Sequence, residues 1–137
     1  MTGTFGTAAG SLPCPCGSGA SYDECCGPLH RGETAAETAE QLMRSRYSAH
    51  HRGLEDYLLA TWHPTTRPAG VELDPGVRWL RLEVLDTRGG TPTDSHGEVE
   101  FTAHYRDRRG RQESRLHERS RFTRRGGRWF YLDGTVD

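Results

Sequence analysis

The sequence has no lysine; all 18 of its basic residues are arginine. That excludes a Schiff-base lysine, a P-loop lysine and regulation by lysine acetylation. A chain rich in arginine, alanine and glycine with no lysine has the composition of a protein from a GC-rich bacterial genome. No apolar run approaches the length of a membrane span. Residues 1–12 are small and polar, without a basic segment or an apolar stretch, so no signal peptide is expected. Charge of one sign is also lacking. With 18 basic against 19 acidic residues, the whole molecule has no strong field for nucleic acid or membrane. At 137 residues the chain has room for one domain and a small appendage.

Cysteine is absent everywhere but one stretch, where Cys14, Cys16, Cys25 and Cys26 follow the spacing C-x-C-x8-C-C. Two close thiol pairs joined by a Gly/Ser turn can supply four tetrahedral ligands to zinc. The chain is expected to be cytoplasmic, where thiols stay reduced, which favours metal over disulfide. A bridge between the adjacent Cys25 and Cys26 would be strained. The metal expected is one structural zinc ion per chain. Four thiolates close the site and leave no position for an activated water. A redox thiol cluster is the alternative.

The chain divides into a tail (1–12), a cysteine knuckle (13–30) and a larger unit (31–137). The segment Thr34-Ala35-Ala36-Glu37 has the form of a capping box and predicts a helix starting at Thr34. Ala36, Ala39, Leu42, Met43 and Tyr47 give it one apolar face, which Arg46 and His50 share. Gly53 breaks it. A second helix carries Leu54, Tyr57, Leu58 and Trp62 on one stripe and ends at Pro64. Strands follow. Leu80, Leu82 and Val84 alternate with charges over 79–86; Val99, Phe101, Ala103 and Tyr105 alternate over 97–105. Leu116, Glu118, Ser120 and Phe122 alternate over 114–123, and a last strand covers 128–133 beyond an Arg-Gly-Gly-Arg hairpin turn. The fold class is therefore α+β: two helices on one face of a curved, mostly antiparallel sheet, with a cavity between the layers.

Inward-facing Arg46, His50, Tyr57, Trp62, Glu118 and Trp129 are the candidates for a site in that cavity. The plainer reading is that Arg46 and Glu118 form a satisfied buried ion pair. The functional reading is a small-molecule site. Catalysis, with Glu118 or His50 as base, is a third. Residues 106–128 hold ten arginines. These are expected to line a solvated outer sheet face. An RNA or ribosome contact is the alternative, but no RNA-binding signature accompanies them.

Cys14-Pro15-Cys16-Gly17-Ser18-Gly19, Tyr22 and Cys25-Cys26-Gly27 closely resemble the SEC-C motif, although Ala20 and Ser21 stand where that motif usually has two basic residues. The resemblance implies that Cys14, Cys16, Cys25 and Cys26 are the zinc ligands. It also implies an adaptor role toward a protein partner or the ribosome, because the motif at the end of the SecA translocation ATPase makes such contacts. Over nearly its full length the chain resembles the YchJ-like family of bacterial proteins. That likeness is carried by Leu42-Met43-Arg44-Ser45-Arg46-Tyr47, Thr61-Trp62-His63-Pro64, His117-Glu118-Arg119-Ser120-Arg121-Phe122 and Gly127-Arg128-Trp129. The family joins the motif to a cone-shaped domain like nuclear transport factor two. Cone domains of this type often pair through the open sheet face, so the chain is expected as monomer or homodimer. The family resemblance implies a fold but not a reaction. The leading expectation is a zinc-binding adaptor without enzymatic activity.

Overall fold

The computed structural model describes residues 12–107, 109, 110 and 112–137; the expected tail lies, but for Leu12, outside the described residues. A 3₁₀ turn (Tyr22–Glu24) and a short helix α1 (Cys26–His30) complete the knuckle. Helix α2 (Ala39–Arg52) and helix α3 (Glu55–Ala60) follow. Strands β1 (Val77–Gly89), β2 (His96–Asp107), β3 (Ser114–Arg125) and β4 (Arg128–Val136) complete the chain. They form one antiparallel sheet in the order β1-β2-β3-β4.

Each strand arises from the period-two alternation visible in the sequence, and each runs past its expected end. The β3–β4 turn is Gly126-Gly127, both with positive φ (60° and 79°), the geometry of a tight hairpin turn that only glycine adopts freely. Register shifts between Trp79 and Arg81, between Val84 and Asp86, and between Arg121 and Phe122 bend the sheet. The first shift overturns one expectation. Trp79 joins the inner core, against the rings of Tyr47 and Tyr105, and Leu80 does not.

Helix α2 starts later than expected. Thr38, not Thr34, caps it, accepting a hydrogen bond from the Gln41 N–H at 3.0 Å. Gln41 in turn accepts from the Glu37 N–H at 2.8 Å, a displaced capping box. The helix ends at Gly53, as expected. Helix α3 stops at Ala60, short of Trp62 and Pro64. The reason is tertiary: Tyr131 on β4 donates its N–H to Thr61 O (2.9 Å) and accepts from the His63 N–H (2.8 Å). Trp62 thereby pairs with Tyr131 as a bridge instead of continuing the helix.

One core joins all these parts. Cys14, Cys16, Cys26 and Leu29 of the knuckle belong to the same buried cluster as Leu42, Met43, Phe101, Phe122 and Trp129. Helix α2 lies between the knuckle and the sheet and is buried on both sides. No helix among the described residues is long and apolar enough to cross a membrane.

Candidate metal centre and inner cavity

The four cysteines converge. Their ligand atoms all lie within 4.8 Å of one another, and none is in a disulfide. Cys16 Sγ lies 3.6 Å from Cys25 Sγ, which lies 3.9 Å from Cys26 Sγ. A tetrahedron with metal–sulfur bonds of about 2.3 Å has an edge of about 3.8 Å. The cluster therefore fits a four-thiolate metal ion. Cys14, Cys16 and Cys26 are 4%, 0% and 1% exposed, so the cluster faces inward. The crowded thiols perturb one another: the neighbouring Cys16 and Cys26 hold the Cys14 thiol far below its ordinary range, while Cys14, Cys16 and burial push Cys26 far up.

Two hydroxyls approach the sulfurs, one from the motif itself and one, Ser48, that the sequence does not single out. Ser18 Oγ lies 3.1 Å from Cys25 Sγ. Ser48 Oγ, from α2, lies 3.3 Å from Cys26 Sγ and 3.5 Å from Cys14 Sγ. Ser48 belongs to a stripe with four-residue spacing. Arg44 donates to Cys16 O at 2.8 Å, and the Arg52 guanidinium lies 4.1 Å from the centre of the Tyr22 ring. Tyr22 OH and His30 Nδ1 are 2.6 Å apart, and His30 Nε2 donates to Ser45 O at 2.8 Å. Burial keeps the His30 pKa lowered. Polar residues that read as a solvated helix face thus hold the knuckle.

The opposite side of α2 faces the sheet across a partly open cavity of about 300 Å³. Arg46, His50, Trp62 and Glu118 all line it, together with Tyr47, Trp79, Phe101, Phe122 and Tyr131. Tyr57 and Trp129 do not. They border a separate hollow beside α1, where Tyr57 OH lies 2.7 Å from Ser45 Oγ and Trp129 Nε1 donates to Glu37 O at 3.1 Å.

The expected Arg46–Glu118 ion pair is not formed. Arg46 Nη1 donates to Leu58 O (2.8 Å) and to Thr61 Oγ1 (2.7 Å). Its guanidinium lies 5.1 Å from the Trp62 ring centre and 4.6 Å from that of Tyr131. Glu118 accepts instead from Ser120 Oγ (2.6 Å) and Tyr131 OH (3.3 Å). Burial lowers the Arg46 pKa to about 10 and that of His50 to about 4, so the imidazole is neutral at pH 7. Burial also raises Tyr47 to about 12.

The outer face of the sheet carries paired charge. Arg119 reaches Glu98 (2.6 Å), Glu100 (3.1 Å) and Asp86 (3.1 Å), and Arg121 reaches Asp133 at 2.6 Å. His117 stands between Glu100 and Asp137, and His104 between Glu83 and Glu113. Two of the arginines expected in solvent, Arg119 and Arg121, are therefore committed to carboxylates.

Comparison with known proteins agrees with this architecture. Residues 38–134 match the family model for the YchJ middle NTF2-like domain, and residues 11–28 match the SEC-C motif. A UPF0225 protein of Streptomyces coelicolor is 55% identical over 122 residues, covering 89% of this chain and 94% of that one. A UPF0225 protein of Methylibium petroleiphilum is 54% identical over 127 residues, covering 92% and 90%. The solution structure of a SEC-C motif containing protein from Rhodopseudomonas palustris superposes with a TM-score of 0.80 at 38% identity, covering 90% of this chain and 98% of that one. A crystal structure of a SEC-C motif containing protein from Psychrobacter arcticus gives 0.74 at 28% identity, covering 94% and 85%.

Proposed function

The chain belongs to the YchJ family, and on the geometry of its two sites we propose that it is a zinc-stapled binding protein. In this reading Cys14, Cys16, Cys25 and Cys26 hold one structural zinc ion per chain, and the cavity behind α2 takes a small molecule. One observation carries it. The thiol cluster is turned inward onto α2, the helix that contributes Arg46 and His50 to the cavity. A closed four-thiolate site supplies folding energy and no open coordination position. The cavity, in contrast, combines apolar walls with a few convergent polar groups, as ligand sites do. The same reading expects the cytoplasm, where thiols stay reduced.

Native mass spectrometry of protein purified under reducing conditions tests the zinc staple. One zinc per chain is expected, with its loss in Cys16→Ser and a fall in Tm on the order of 10 °C. Four reduced thiols with no zinc, and a Tm indifferent to chelator, would overturn the staple.

A second reading, an adaptor for a protein or ribosomal partner, is favoured by the exposed knuckle tip at Gly17–Ala20 and the exposed Leu12 beside it. Cosedimentation with ribosomes or capture of one defined partner, lost in Leu12→Asp, would support it. Unchanged capture by that variant would remove it.

A further inference from the structure

Arg46 is a cation with too few partners. It is 7% exposed. Only its Nη1 makes hydrogen bonds among the described residues, both of them to neutral oxygens. A guanidinium taken this far out of water is ordinarily matched by an anion. The rings of Trp62 and Tyr131 offset part of the cost. Glu118 acts on it only through space, while Ser120 and Tyr131 both donate to its Oε2.

A second observation lies in the same walls. Tyr47 OH and Trp62 Nε1 are buried with no hydrogen-bond partner, and both side chains line the cavity. Buried donors are rarely left open. The under-partnered Arg46 in the cavity wall calls for an acceptor bearing negative charge, and the two orphan donors lie in the same walls. The other walls, among them Phe101, Phe122, Trp79 and Leu116, are apolar and mostly aromatic.

We propose that the cavity binds a small monocarboxylic acid with a flat apolar body, its carboxylate matched to Arg46 and its body held against the aromatic walls. This rests on the reading that the cavity takes a small molecule. A volume of about 300 Å³ equals the share of about ten waters, enough for an acid of roughly a dozen heavy atoms. Inorganic phosphate would leave the apolar walls unused. A dicarboxylate would bring its second charge near Glu118. Burial lowers the Arg46 pKa, and a seated carboxylate would raise it again.

Cinnamate and cinnamamide have nearly the same shape and differ in charge, so their affinities for the zinc-loaded full chain test the assignment. Titration calorimetry, with the fluorescence of Trp62 and Trp79 as a second signal, is expected to show cinnamate binding at least about tenfold tighter. Arg46→Met should remove that preference. Arg46→Lys, which keeps the charge if the larger change unfolds the protein, should retain part of it. Equal or tighter binding of cinnamamide by the wild type overturns the carboxylate assignment and leaves the cavity reading standing. Failure of cinnamate, cinnamamide and the neutral probe indole alike, up to millimolar concentration, overturns both.

Discussion

Ser48, in the middle of α2, sets its hydroxyl 3.3 Å from the sulfur of Cys26. It is fully buried, so that contact is made without competition from water. With zinc bound, Ser48→Ala is expected to lower metal affinity by about tenfold, the effect of losing an outer-shell partner. Competition with a chelator measures this. Affinity equal to wild type would mean that the hydroxyl only fills space.

The true start of α2 can be tested by two threonines. Thr38→Ala removes the cap on Gln41 N–H and should cost about 1 kcal/mol in urea unfolding. Thr34→Ala removes an exposed side chain that caps nothing and should stay within about 0.5 kcal/mol of wild type. The reverse order would restore the earlier start.

Glu118 lies over Gly134, where a Cβ would overlap its carboxylate. Gly134→Ala should therefore cost about 1–3 kcal/mol by overpacking or by displacing Glu118 from Tyr131. In a Glu118→Ala background the same change should cost less than about 1 kcal/mol, since the clash is gone. A double-mutant cycle reads the difference. Equal costs in both backgrounds would show that Glu118 is not the obstacle.

His50 makes acid destabilising. Its folded pKa of about 4 lies below the 6.5 of an unperturbed histidine, so between these values the unfolded chain binds the extra proton. Stability then falls as pH drops from 6.5 toward 4, by no more than about 3 kcal/mol for this residue. The positive charge of neighbouring Arg46 pushes the same way. His30 and His51 are lowered too, whereas His117, raised between Glu100 and Asp137, adds stability at low pH. The informative quantity is the difference between wild type and His50→Asn. A variant as acid-sensitive as wild type would exclude His50 as a source.

The cysteine cluster and the four strands were legible because each rests on local spacing: thiols at fixed offsets, and apolar residues at every second position. What failed was nonlocal. Two consecutive capping signals start at Thr34 and Thr38, and the docking of Ala39 N–H on Gly90 O accompanies the second. Helical periodicity extended α3 to Trp62, but pairing with Tyr131 stopped it. A strand bulge exchanged Trp79 for Leu80, and no periodic pattern announces a bulge. Tyr57 by helical spacing and Trp129 by alternation read as inner-face residues, yet both border the second hollow, which residues of α1 and the segment after it help to line. Ser48 was illegible for a different reason. A small polar residue on a helix reads as solvated until the partner covering it is known.

Helix α2 has eight buried residues among its fourteen, including an unbroken run from Ser45 to Ala49. Such a segment has little room for neutral drift. A change on one side disturbs the thiol cradle, and a change on the other disturbs the cavity wall. Unbiased mutagenesis scored for loss of soluble protein should therefore find its densest cluster of intolerant positions in these few turns, denser than in any strand of the sheet.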